Sequence, residues 1–119
     1  MTAGAAIIRL VASAVDRRVG GLLARIEDHV VWHSVEGDLV LFNSSTGIYH
    51  TLDTVGSDVW RTLSECEALE EVVERLTRRY GADPETIESD VADFIEMASR
   101  LGLVATRRSG GARTASRSA

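Results

Sequence analysis

Between His29 and Leu52, three β-branched and aromatic runs are separated by links too short to do anything but reverse the chain. His29-Val30-Val31-Trp32-His33-Ser34-Val35 has strand composition. Glu36-Gly37-Asp38 supplies a turn, Leu39-Val40-Leu41-Phe42 a second strand, and Asn43 to Gly47 (NSSTG) a second turn rich in turn formers. Ile48-Tyr49-His50-Thr51-Leu52 is the third strand. A parallel crossover needs about a dozen residues or more, so these connections force a three-stranded antiparallel meander. No later segment reads as a strand, which leaves the third strand at an edge.

The pattern after Leu52 is helical. Asp53 is a good N-cap for a helix from Thr54 to Leu63. Ser64-x-x-Glu67 has capping-box spacing and is expected to open a second helix reaching Tyr80, with Gly81 as its left-handed stop. Asp83-Pro84 places a cap and a first-turn proline before a third helix that runs to Leu101 and ends at Gly102. Its main apolar line is Ile87, Val91, Phe94, Ala98 and Leu101; a weaker second line is Ala92, Ile95 and Ser99. Trp60 is expected in the core with Val59, Leu63, Val91 and Phe94. The fold class is therefore α+β, a meander followed by three helices.

The two ends read differently. Ile8, Val11, Val15, Val19, Leu22 and Ile26 recur at intervals of three and four, which predicts an extra N-terminal helix over residues 5–26, bent or ending near Gly20. Each glycine of Gly20-Gly21 weakens such a helix by about 1 kcal/mol relative to Ala. The end of the chain (RRSGGARTASRSA from Arg107) is poor in apolar residues and reads as disordered. The expected organisation is an N-terminal helical extension (1–28), a central domain (29–105) and a basic tail (106–119).

Charge follows the same division. The net charge is −5, but residues 27–96 alone carry −13 between basic ends of +3 and +5. Such a centre repels nucleic acid, whose binding needs clustered cations, and suits a basic or neutral peptide better. Arg75, Arg78 and Arg79 are the only cationic cluster a DNA-binding regulator could use. No apolar run is long enough to span a membrane and no signal peptide is read, so a cytoplasmic location is expected.

Little in the sequence carries chemistry. His29, His33 and His50 all fall on expected strands, where surface or structural roles are commoner than metal ligation. Cys66 is expected in the first turn of a helix, where the dipole favours the thiolate, but Glu65 and Glu67 oppose it. The carboxylates Glu65, Glu67, Glu70, Glu71 and Glu74 suit a solvated helix face with i, i+4 arginine partners. There is no glycine-rich phosphate loop in a strand-to-helix context. No catalytic residue, metal or cofactor is expected.

What stands out is the third strand, Ile48 to Leu52. It carries neither the charge nor the proline that normally blunts an exposed edge. Two readings are open from the residues alone. Either the N-terminal helix, the tail or a second copy covers it, or it accepts an incoming peptide as a fourth strand.

The segment Leu39-Val40-Leu41-Phe42, then Gly47-Ile48-Tyr49, then Leu52-Asp53-x-x-Gly56-x-x-Val59-Trp60 resembles the PqqD-like proteins. Tyr80-Gly81, Asp90-Val91 and Leu101-Gly102-Leu103-Val104 extend the resemblance over roughly residues 30–105. The subtype it is most similar to is the discrete leader-binding protein of lasso-peptide gene clusters. The resemblance implies a winged helix-turn-helix-like recognition element. Such a domain binds the leader of a ribosomally synthesised precursor peptide and presents it, without catalysis, to a leader peptidase, cyclase or radical enzyme. It also implies that the leader adds to Ile48, Tyr49, His50, Thr51 and Leu52 and lies against Ala92, Ile95 and Ser99, with Ile95 a partly exposed wall of that groove. The family's Asn is replaced here by Asp53, and its glycine-containing link by Ser64-Glu65-Cys66-Glu67. Residues 1–28 exceed the small members and could cover part of the sheet, pair two copies as a homodimer, or dock the enzyme. The alternatives are a winged-helix DNA-binding regulator and a peptide chaperone of pyrroloquinoline quinone biosynthesis.

Overall fold

A computed structural model describes residues 5–8, as backbone, and residues 19–108. In chain order the strands are β1 (Ala5–Ile8), β2 (Leu22–Ile26), β3 (Val30–Val35), β4 (Asp38–Asn43) and β5 (Ile48–Leu52). Helices α1 (Thr54–Leu63), α2 (Leu69–Tyr80) and α3 (Pro84–Arg100) follow, and β6 (Val104–Arg108) closes the order. One sheet has the order β1-β5-β4-β3, and a two-stranded ribbon pairs β2 with β6.

The meander is antiparallel as its short links require, with Leu41 opposite both Trp32 and His50. Alternation sends Leu39, Leu41, His50 and Leu52 inward, where all are buried. Phe42 and Tyr49 pair on the other face with ring centroids 4.6 Å apart, and Tyr49 stays exposed. Polar groups tie this sheet to the helices. Buried Asn43 accepts the Ser45 amide on Oδ1 (2.9 Å) and donates from Nδ2 to the Leu101 carbonyl (3.2 Å). Buried Ser57 accepts the Leu39 amide and donates to the Leu52 carbonyl, so α1 closes the ends of β4 and β5.

The helix caps behave as their residues demand. Asp53 accepts the Gly56 amide at 2.8 Å, and Asp83 accepts that of Thr86 at 3.2 Å, ahead of Pro84. Gly81 ends α2 in the left-handed conformation, at φ 62°. Gly56 is needed for closeness: a Cβ there would lie 3.1 Å from the Asp53 carboxylate and 3.5 Å from the Phe94 ring. The core is where the sequence placed it. Trp60, Val59, Leu63, Val91 and Phe94 are all buried, and Trp32 meets Trp60 edge-on at 5.5 Å.

Several expectations are corrected. The helix over residues 5–26 is contradicted at both ends, because Ala5–Ile8 and Leu22–Ile26 are strands; residues 9–18 of that helix lie outside the described residues. Gly21 turns the chain at φ 73°, and β6 offers a row of backbone partners that outweighs a short helical period. Thr106, Arg107 and Arg108, assigned to a disordered tail, instead complete β6; the remainder of the tail lies outside the described residues. Within the extension 1–28, Val19 and Ala24 are buried in the common core. Strand β3 starts at Val30, and His29 sits in the turn before it.

The Ser64-Glu67 capping box does not form either. Ser64 is the C-cap of α1, and α2 starts at Leu69 after Ala68, which makes no side-chain cap bond. The intervening residues are drawn out against β2: Leu23 bridges Ala68, and the Ala24 amide donates to the Glu67 carbonyl. Cys66 therefore lies in the α1–α2 link, not in a helical first turn.

Candidate functional site

Strand β5 is short, and its two sides are held differently. Its inner side pairs with β4. Its outer side, which the sequence left either covered or open to a peptide, carries β1 in parallel, with Ala5, Ala6, Ile7 and Ile8 in register with Tyr49, His50, Thr51 and Leu52. The edge therefore takes a strand, and the strand it holds is the chain's own.

The side chains of β5 are divided by the pleat. His50 and Leu52 are buried, so only their backbone is available to an incoming strand. Burial lowers the His50 pKa below its ordinary 6.5, and its Nδ1 has no hydrogen-bond partner. Tyr49 is exposed, while Ile48 and Thr51 are half-buried and can offer side-chain contact.

Ala92, Ile95 and Ser99 do come together, along a groove of about 380 Å³ that Leu22 and Thr106 complete from the β2–β6 ribbon. No β5 residue lines that groove. Ile95 is buried rather than partly exposed, because the ribbon that the helical reading of residues 22–26 concealed packs beside it. Leu22 and Thr106 were missed for the same reason. On the side of α3 facing the N-terminal segment, Glu88 accepts the amide of buried Val19 at 2.9 Å.

The other candidates have structural surroundings. His29 Nε2 lies 2.9 Å from the Gly102 carbonyl, and His33 is exposed. Among the described residues no three His, Cys, Asp or Glu side chains converge. Burial raises the pKa of the Cys66 thiol, with Arg75 opposing, and the thiol donates to the Thr62 carbonyl. The arginine cluster is met by acids: Arg75 pairs with Glu65 and Glu71, Arg78 with Glu74, and Arg79 approaches Asp58. Asp58 also accepts the Tyr80 hydroxyl; burial and that bond push the Tyr80 pKa up to about 12. Among the described residues no helix is long and apolar enough to cross a membrane.

Residues 38–104, more than half of the chain, match the family described as coenzyme PQQ synthesis protein D (PqqD). The chain belongs to the PqqD family. No curated protein matches it. Among solved structures, this PqqD-family chain is similar to TbiB1 in complex with the TbiA(beta) leader peptide. That likeness has a TM-score of 0.64 and 35% identity, and covers 67% of this chain and 93% of that one. It is also similar to lasso peptide synthetase B1 complexed with the leader peptide, at a TM-score of 0.63 and coverages of 69% and 96%. Identity there is 18%, so this second likeness is one of fold. The PqqD match takes in β4, β5 and all three helices, whereas β1 and β2 lie outside it.

Proposed function

We propose that this chain is a recognition element for the leader of a ribosomally synthesised precursor peptide, which binds by adding a strand to the outer side of β5. The observation that carries the reading is the strand already there: β1 pairs along Tyr49 to Leu52, so this edge is competent for strand addition. The likeness to TbiB1, solved with a leader peptide, supports the class of partner and makes lasso peptide maturation the first choice of pathway. The arrangement of sheet and helices is read as winged helix-turn-helix-like. The peptide contacts assigned are Ile48, Tyr49, His50, Thr51 and Leu52, the buried two through their backbone, with Ala92, Ile95 and Ser99 bordering the adjacent groove.

In this role the chain does no covalent chemistry. It holds the leader in the cytoplasm and presents the precursor to a leader peptidase, cyclase or radical enzyme. Duplex DNA is the poorer partner, since each arginine of the only candidate cluster already faces a carboxylate.

Main-chain pairing along five residues with one or two side-chain contacts gives an expected dissociation constant on the order of 10⁻⁸ to 10⁻⁶ M. The test is titration of a labelled TbiA(beta) leader peptide, the ligand of the similar TbiB1. Thr51→Pro and His50→Pro each remove a backbone N–H from β5, and neighbouring N–H groups point to opposite sides of a strand. Loss of binding in a variant that keeps its fold supports strand addition at β5. Unchanged binding in both folded variants contradicts it.

A further inference from the structure

The acceptor edge of β5 carries the chain's own N-terminal strand. Four apolar residues, Ala5-Ala6-Ile7-Ile8, hold it in continuous parallel register. Past a ten-residue connection, Val19 is buried and bonded through its amide to Glu88 of α3. Ten residues can span up to about 33–36 Å when extended. The anchor at Val19 therefore does not require β1 to stay on the sheet. Leu22–Ile26 continues from that anchor into the ribbon with β6, whose Val104 is buried, so the anchored side belongs to the core.

The two attachments differ in strength. A four-residue strand at a sheet edge is close to the shortest seen, and a pairing of that length is marginal alone. It belongs to the same chain, so its pairing with β5 is an intramolecular event. Resting on the leader-binding reading of β5, we infer that residues 5–8 act as a cis competitor for that edge, and that a leader binds by displacing them. A site free for only a fraction of the time binds with an affinity reduced by that fraction. If β1 is docked about nine-tenths of the time, its release strengthens leader binding by about tenfold. The chain thereby rejects short or poorly matched peptides that cannot outcompete its own strand.

The test uses the full chain carrying Ala6→Pro and Ile7→Pro together, which removes ladder N–H groups of both orientations from β1. Hydrogen exchange at the β5 amides reports docking of β1, and thermal melting confirms the fold. Two labelled probes are titrated: the TbiA(beta) leader peptide and a synthetic peptide of residues 1–10 of this chain. The expected result is faster exchange of outward-facing β5 amides in the variant, with the leader and the 1–10 peptide each binding it at least tenfold more tightly than the unaltered chain.

Identical β5 exchange in the two proteins overturns the inference whatever the leader does. Faster exchange with unchanged leader affinity overturns it too, but leaves the leader-binding reading standing. A variant that takes up the 1–10 peptide but no leader overturns both.

Discussion

Strand β5 has a neighbour on each side, and the two pairings are built from different materials. The β4 side is antiparallel, joined by a four-residue turn, and backed by a buried layer of Leu39, Leu41, His50 and Leu52. Asn43 and Ser57 fasten its ends to α1 and to the end of α3. The β1 side is parallel and joins residues more than forty positions apart, with no turn to set its register. Local closure and burial specify the first pairing, while the second is only four residues long and has neither local closure nor a turn. A binding edge needs this contrast, because a strand that is to be exchanged cannot also hold the fold together.

The largest expected effect lies under the inner pairing. Trp60 is fully buried, edge-on to Trp32, so Trp60→Ala is expected to lower stability by about 3–5 kcal/mol in denaturant unfolding. A loss under 1 kcal/mol contradicts the core described here. Asn43→Ala leaves the Leu101 carbonyl and the Ser45 amide without their partner, and is expected to cost about 1–3 kcal/mol. Breaking the outer pairing is expected to cost less than opening the core: the paired prolines at Ala6 and Ile7 lower unfolding stability by about 1.4 kcal/mol, the free-energy equivalent of nine-tenths docking. A loss as large as that of Trp60→Ala erases the distinction between the two sides of β5.

Acid sharpens the same comparison. Burial lowers the His50 pKa, so below pH 6.5 the unfolded chain binds a proton that the folded chain resists. Stability contributed by the neutral imidazole is present above pH 6.5 and is lost as pH falls from there toward the lower folded value. His50→Gln is expected to flatten the stability profile between pH 6.5 and 5, measured by urea unfolding. A slope that survives this substitution assigns it elsewhere.

How far the sequence could be read divides along the same line. Turns and caps act over a few residues, so Asp53, Asp83-Pro84, Gly81 and NSSTG marked β4, β5, α1 and α3 nearly to the residue. Trp60 and the line Ile87, Val91, Phe94 and Ala98 were legible because a 3.6-residue period is a local property. β2 and β6 were not, because each is a strand only through a partner about eighty residues away. Missing them hid the ribbon that buries Ile95 and forms one wall of its groove. The Ser64-x-x-Glu67 spacing misled for a related reason: β2 draws that link into an extended bridge at Ala68 before a helix can start. The β5 edge was legible as an acceptor from its lack of charge and proline, and the N-terminal part of the chain stood among its possible covers, but as a helix rather than the strand it forms.

The central claim is that a leader joins the sheet beside β5, and its backbone contacts test it most directly. Isotope-filtered NMR on the unaltered chain with an unlabelled leader reads through-space contacts between leader protons and backbone protons of labelled Tyr49 to Leu52. The account predicts a ladder of cross-strand contacts at alternate positions along β5, appearing as those from residues 5–8 disappear. A saturated complex in which residues 5–8 keep their contacts and the leader makes none to β5 contradicts it.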